Sequence, residues 1–282
     1  MASNTKDRPI AVVTGAAGGV GMAVCRLLGR TQNLLLTDFD DARLQPALQT
    51  LADEGYRASG IAGDLASPGT AETLAGLCRD LGPLRTLVNT AGLSPVMADW
   101  RAIIQANTVA AELLLRAFEP LLRPGTAAVL VASVAGHLSP TDTPAQELLA
   151  DPLQPELLEK LSVRLEMLVR NLAGSLEGHA YGLSKRAIIQ TCERRAKAWG
   201  AVGARLVSIS PGGIWTAMGR REASGGARVN AVIESTPAGR WGTAAEMATV
   251  IEFLASDAAG YITGCDLLVD GGAAAVLRGK TF

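Results

Sequence analysis

Histidine and cysteine are scarce in this chain, with two and four copies among 282 residues. His137 and His179 are isolated from one another and make no metal site, which takes three or four converging ligands. Cys25, Cys78, Cys192 and Cys265 show no Cys-x-x-Cys spacing and are expected as reduced, mostly buried thiols of a cytoplasmic protein. Net charge is scarce too: 26 Lys and Arg against 27 Asp and Glu leave −1, which provides no basic surface for nucleic acid. No apolar run approaches the ~20 residues of a membrane span. Met1 to Arg8 is polar, so neither a secretory signal nor a transmembrane helix is expected. No charge block, low-complexity stretch or internal repeat divides the sequence, so one domain with a large core is expected over residues 1–282.

What is present begins with a nucleotide-type entry. Pro9-Ile-Ala-Val-Val13 is a short, β-branched apolar run that reads as a buried parallel strand. Thr14-Gly15-Ala-Ala-Gly18-Gly19-Val20-Gly21 follows, and Met22 to Leu28 continues as an amphipathic helix. Strand, glycine turn and helix are the context a phosphate-binding fingerprint needs, because glycine lets the backbone approach a pyrophosphate and the helix N-terminus offers free N–H groups. A second apolar strand, Asn33 to Asp38, stops at an acid where a dinucleotide fold places its ribose carboxylate. A carboxylate there accepts from ribose hydroxyls and repels a 2′-phosphate, and the turn residues Ala16, Ala17 and Gly18 are uncharged, so NAD(H) is favoured over NADP(H). The competing reading is that Asp38 or Asp40 caps the next helix. Further strands are expected near 57–62, 84–89, 126–132, 204–210 and 265–269, with helices near 70–81, 100–122, 181–199 and 243–255. That alternation means an α/β fold: a three-layer, doubly wound parallel sheet of the Rossmann type.

Tyr181-Gly-Leu-Ser-Lys185 adds chemistry, since residues four apart share a helix face. A phenol ordinarily ionises near pH 10. A cation about 5 Å away at an effective dielectric of about 20 favours the phenolate by roughly 3 kcal/mol, on the order of two pKa units. On spacing alone, this pair is expected to be tuned towards proton transfer near neutral pH.

Thr14-Gly-x-x-x-Gly19-x-Gly21, Asp64 of Gly-Asp-Leu, Asn89-Thr-Ala-Gly92, Asn107, Ser133, Tyr181-x-x-x-Lys185 and Pro211-Gly-x-x-x-Thr216 occur in one order along nearly the whole chain. In this the chain resembles the short-chain dehydrogenase/reductase family. The resemblance implies Tyr181 as acid/base, Lys185 as the cation that lowers its pKa and holds the nicotinamide ribose, Ser133 as the hydroxyl on the substrate oxygen, and Asn107 as holder of a relay water. It also implies cofactor contacts from Gly15, Gly19, Val20, Gly21, Asp38, Asp64, Leu65, Asn89, Ala91, Gly92, Pro211, Gly212, Ile214 and Thr216, besides Tyr181 and Lys185. Thr90 stands where the commoner family form has a second asparagine, with little catalytic consequence expected.

Asn89 and Asn107 are unusually close, and Ser133 and Tyr181 unusually far apart. Both features, with the Val269-Asp-Gly-Gly272 ending, resemble the bacterial 3α-hydroxysteroid dehydrogenase/carbonyl reductase branch. The implied activity is NAD(H)-dependent interconversion of a secondary alcohol and a ketone on a hydrophobic, cyclic or aromatic substrate. An aryl-allylic alcohol dehydrogenase of the same branch, or a catalytically silent NAD-sensing protein, is the alternative. Trp100, Trp215 and Met218 are candidate pocket walls. In the extra segment, 139–178, Leu157, Leu161, Leu165, Leu168 and Leu172 form one apolar stripe, with Glu156–Lys160 and Glu166–Arg170 at supportive spacing. A helical insertion is expected there, its stripe packed on its own subunit, at a subunit contact or as a partial lid beside the substrate entrance; next to the family's usual tetramer-forming helix pair it is expected to block that interface and leave a homodimer, with a tetramer as the alternative.

Overall fold

The computed structural model describes residues 8–224, 233, 234 and 236–279; the polar N-terminal stretch and the last three residues lie outside them. Seven parallel strands form one sheet in the order β3-β2-β1-β4-β5-β6-β7. They are β1 (Ile10–Thr14), β2 (Asn33–Asp38), β3 (Ala58–Ala62), β4 (Leu84–Asn89), β5 (Ala127–Val131), β6 (Arg205–Pro211) and β7 (Asp266–Val269). The expected strands agree with these to within a residue at either end.

Alternation along β1 divides the core between the two sheet faces, as a period of two requires. Ile10 and Val12 join one cluster, with α3 (Pro68–Leu81), α5 (Ala110–Phe118) and α9 (Leu176–Ala201) packed over it. Ala11 and Val13 join the other, under α1 (Gly19–Leu28), α2 (Asp41–Asp53) and α11 (Ala244–Ala255). The strand order reverses direction between β1 and β4, and a cleft opens there beyond the strands' carboxyl ends.

The helix expected over 100–122 is interrupted. It starts as the short α4 (Trp100–Ile104), capped by Asp99, passes through a π-turn at Gln105–Val109 and resumes as α5. Such π-turns are rare and gather at functional sites; this one carries Asn107. The helix expected over 181–199 begins earlier, at Leu176, where the Ser175 hydroxyl accepts from the Gly178 amide.

The segment 139–178 is helical, as expected. After α6 (Val134–Leu138) come α7 (Thr143–Ala150), capped by Asp142, and α8 (Leu157–Asn171). Leu157, Leu161, Leu165 and Leu168 are buried with Trp100, Ile104, Leu149, Ala180 and Leu183 in a third cluster. The stripe ends there: Leu172 lies past the last helical turn and is exposed. Glu156–Lys160 and Glu166–Arg170 both pair, and Arg164 reaches back to Asp142 at 2.7 Å, tying α8 to the start of α7. The segment therefore packs on its own chain, against the face of α9 opposite the sheet. The central part of α9 is accordingly apolar on two sides, with Ile188 and Cys192 towards the sheet and Leu183 and Ala187 towards the segment.

Candidate active site

A cavity of about 900 Å³ occupies the cleft, within the range usual for small-molecule sites. At one end it is lined by Gly15, Gly18, Gly19, Val20 and Gly21 of the turn and by Asp38, Arg43, Asp64 and Leu65. Ala91, Gly92, Ser133, Tyr181 and Lys185 line its middle, and Pro211, Gly212, Ile214, Thr216 and Met218 its far side. Most of the residues expected at the site thus share one wall. Asn89 and Asn107 do not reach it.

The glycine turn is fitted closely to its neighbours. Gly15 has φ +61, and a Cβ there would stand 2.8 Å from the Ala91 nitrogen; one on Gly19 would stand 2.9 Å from Thr216 Cγ2. Thr14 Oγ1 donates to Asn89 Oδ1 at 2.6 Å, and Thr90 Oγ1 donates to the Thr14 carbonyl at 2.7 Å. Asn89 therefore fastens β4 under the turn rather than lining the cavity, and Thr90 adds a second fastening. The turn delivers the first amides of α1, which have no intrahelical acceptor, to the cavity wall.

Asp38 is buried and already engaged. Its Oδ2 accepts from the Ala17 amide at 3.0 Å, while Oδ1 accepts from the Phe39 amide at 2.9 Å and from Arg43 Nε at 2.7 Å. Capping of α2 falls to Asp40, which accepts from the Arg43 amide. Arg43 is the basic residue that inspection of the glycine turn alone misses. It lies five positions after Asp38, half-exposed on the cavity wall.

Asn107 binds protein on both sides of its amide. Oδ1 accepts from the Leu93 amide at 2.8 Å; Nδ2 donates to the Leu93 carbonyl at 3.1 Å and to Ser184 Oγ at 3.0 Å. Ser184 Oγ in turn donates to the Tyr181 carbonyl at 2.8 Å. The Asn107 side chain thus clamps the loop after β4 to α9, with both amide hydrogens spent.

Ser133 ends β5 as the N-cap of α6, its Oγ accepting from the Ala135 amide at 3.2 Å. Lys185 Nζ donates to the Val131 carbonyl at 2.9 Å and lies 5.7 Å from the centre of the Tyr181 ring. Burial pushes the Tyr181 phenol up to about 12; the neighbouring Ser133 hydroxyl opposes this, and the Glu222 carboxylate adds to it. Burial also pushes Lys185 down to about 8. Burial thus acts on the phenol in the direction opposite to the tuning expected from the spacing.

Two of the three expected pocket walls lie elsewhere. Trp100 is buried in the cluster under α8, with the Arg101 guanidinium 4.3 Å over its ring. Trp215 is half-exposed and meets Trp241 edge-on, with ring centres 5.4 Å apart; Trp241 lines the cavity. The strand-like link that seats Trp241, Trp215 N–H to the Gly242 carbonyl at 2.8 Å and Gly242 N–H to the Gly213 carbonyl at 2.9 Å, has no local sequence signal. Among the described residues, none of 139–178 lines the cavity. His137 pairs with Asp266 at 2.7 Å on the β7 side. Among the described residues no cluster of three or more His, Cys, Asp or Glu could hold a metal, and no helix is long and apolar enough to cross a membrane.

With this geometry in view, comparison with known proteins is direct. A short chain dehydrogenase family profile matches residues 9–145, and an enoyl-(acyl carrier protein) reductase profile matches residues 163–274. The 3-alpha-hydroxysteroid dehydrogenase/carbonyl reductase of Comamonas testosteroni is 32% identical over 281 residues, covering 97% of this chain and 99% of that protein. The chain belongs to the short-chain dehydrogenase/reductase family. Short-chain dehydrogenase/reductase bsc3 of Alternaria brassicicola is 31% identical over 274 residues, covering 96% and 97% of the two chains. Among solved structures, the Pseudomonas aeruginosa RhlG/NADP active-site complex superposes with a TM-score of 0.73 at 26% identity, covering 95% of this chain and 97% of that one. Family membership makes the protein an oxidoreductase that uses a nicotinamide cofactor. The cavity fits such a group: free helix amides for phosphates, a carboxylate at the end of β2, and an ammonium beside a phenol.

Proposed function

We propose that the protein interconverts a secondary alcohol and a ketone on a hydrophobic, cyclic substrate, using NAD(H). The observation that carries this reading is the meeting of Ser133, Tyr181 and Lys185 on the wall of the cavity whose other end is the glycine turn. When bound, the nicotinamide supplies the hydride to a ketone or takes it from an alcohol. In reduction, Ser133 donates a hydrogen bond to the substrate oxygen and Tyr181 delivers its phenolic proton there. In oxidation, Tyr181 as phenolate takes the hydroxyl proton. Lys185, held by the Val131 carbonyl, supplies a positive charge that stabilises the phenolate once its nitrogen is protonated, and it is placed to hold the cofactor ribose. Asn107 acts as a positioning residue through Leu93 and Ser184.

Asp38 supports NAD(H), since a 2′-phosphate brought against a buried carboxylate is repelled. Arg43 is the counterweight, because among the described residues only its Nε is engaged, with Asp38, which leaves the rest of its fork to pair with phosphate. Leu93, Met97, Met218, Ile233 and Trp241 give the substrate end an apolar lining, which supports a hydrophobic ketone. We read the protein as cytoplasmic and homodimeric, with α7 and α8 covering the outer side of α9 so that subunits associate through another surface.

The test is absorbance of reduced nicotinamide across a panel of cyclic ketones, steroid 3-ketones and aryl-allylic alcohols. Turnover of cyclic or steroid ketones with NADH is expected. Cofactor binding without turnover of any compound would overturn the reading in favour of a sensor, and exclusive turnover of aryl-allylic alcohols would replace the substrate class.

A further inference from the structure

The substrate end of the cavity contains one acidic group that the proposed chemistry leaves unused. Helix α10 (Ala217–Ser224) presents Met218 and Glu222, four residues apart and on one face, to the same cavity as Tyr181. Around them the wall is apolar: Leu93, Met97, Ile233 and Trp241. Arg221 also touches the cavity but is exposed and belongs to the adjoining face of the helix. Among the described residues Glu222 has no ion-pair partner. The Ser94 hydroxyl is fully buried, has no other hydrogen-bond partner among the described residues, and favours the carboxylate. A carboxyl without a cation in an apolar wall does nothing for stability, because burying it carries a desolvation cost. It is explained by a partner that arrives with the ligand.

We propose that Glu222 is a substrate-recognition residue, accepting a hydrogen bond from a hydroxyl or a protonated amine carried by the hydrophobic ketone away from its reacting carbon. The assignment rests on the oxidoreductase reading of the cavity given above. Burial raises the pKa of Glu222 from its ordinary value, the Ser94 hydroxyl opposing this, and the carboxylate charge adds to the upward shift of Tyr181.

Three ketones of matched shape test this: 4-isopropylcyclohexanone, 4-(1-hydroxyethyl)cyclohexanone and 4-(dimethylamino)cyclohexanone. The wild-type protein is expected to favour one or both donor-bearing ketones in kcat/KM by about tenfold, the worth of one hydrogen bond to a charged or polar acceptor. Glu222→Leu should erase that preference by loss on the donor ketones alone. Glu222→Gln, which keeps an acceptor without charge, should spare the hydroxyl ketone and lose the amine, so it tells the two donors apart. Calorimetric binding of the three corresponding alcohols to the NADH-loaded Tyr181→Phe protein, with and without Glu222→Leu, reads recognition without turnover. Discrimination in binding with no turnover of any ketone by wild type would overturn the ketone-reductase reading and support the Glu222 assignment. Equal affinity for the three alcohols, or a uniform loss across all three on Glu222→Leu, would overturn the Glu222 assignment.

Discussion

Lys185 Nζ stands 5.7 Å from the centre of the Tyr181 ring, yet the phenol is pushed up to about 12 and the ammonium down to about 8. Two unit charges at such a distance gain roughly 3 kcal/mol at an effective dielectric of about 20. Burial nevertheless penalises the phenolate and the ammonium alike, and the phenol's shift is upward. In this state the pair holds a protonated phenol, which suits proton donation in ketone reduction. It opposes proton removal in alcohol oxidation.

The pH dependence follows with a definite sign. Oxidation needs the phenolate, whose population rises about tenfold per pH unit below the controlling pKa. Log kcat/KM for the alcohol should therefore climb across neutral and mildly alkaline pH, while reduction stays level or declines. A cationic nicotinamide lowers the controlling value without changing that direction. Initial rates in both directions across a buffer series check this; an oxidation profile level from acid to alkaline pH would contradict it.

Tyr181→Phe keeps the ring and removes only the acid/base hydroxyl. Turnover should fall by about 10²–10⁴-fold, the usual worth of a positioned proton donor. NADH affinity should stay within a few-fold by fluorescence titration. Lys185→Ala should lose both rate and NADH affinity, because the ammonium serves the phenol and the cofactor ribose. Activity of Tyr181→Phe close to wild type would remove Tyr181 from the mechanism.

The frame of this site was legible in the sequence because each part has local causes. Glycines make the turn, β-branched runs make the buried strands, and the leucine spacing makes α8. What escaped depends on contacts between distant segments. Trp241 reaches the cavity through the pairing of Gly242 with Gly213 and Trp215, which no periodicity announces. Trp100 turns inward because α8 covers it, so a tryptophan near the site became core. The partners of the Asn107 side chain, Leu93 and Ser184, come from different elements, so no local pattern announces that clamp. The phenol's direction of shift was missed because spacing reports charge proximity and not burial.

Cofactor choice turns on Asp38 and Arg43, bonded at 2.7 Å. NAD(H) should exceed NADP(H) in kcat/KM for the unaltered protein. Asp38→Asn should narrow the gap twice over, by removing the repelling charge and by releasing the Arg43 fork for a 2′-phosphate. Arg43→Ala alone should lower NADP(H) use and leave NAD(H) use nearly unchanged. In Asp38→Asn with Arg43→Ala, part of the NADP(H) gain should disappear. Steady-state kinetics with both cofactors decide it, and a preference of the unaltered protein for NADPH would overturn the role given to Asp38.

Leu161 and Leu165 on the inner face of α8 are fully buried, against Trp100, Ala180 and Leu183. Truncating a buried leucine to alanine costs about 2–5 kcal/mol, through lost transfer energy and the cavity left behind. At about 2–4 °C per kcal/mol for a chain approaching this size, Leu161→Ala should lower Tm by roughly 5–15 °C. Ala180 and Leu183 flank Tyr181 on α9, so the loosened packing reaches the catalytic helix. The cavity wall, however, takes no residue from 139–178. Well below its Tm, the variant should therefore lose kcat and keep its KM for bulky ketones. Glu at both positions buries two carboxylates without partners and should unfold the segment, exposing the covered side of α9. Sedimentation velocity should then show a homodimer for the unaltered protein and for Leu161→Ala, with higher association confined to the Glu variant. A change in KM for bulky ketones without a change in Tm would return the segment to the substrate entrance, and a native tetramer would remove its role in blocking association.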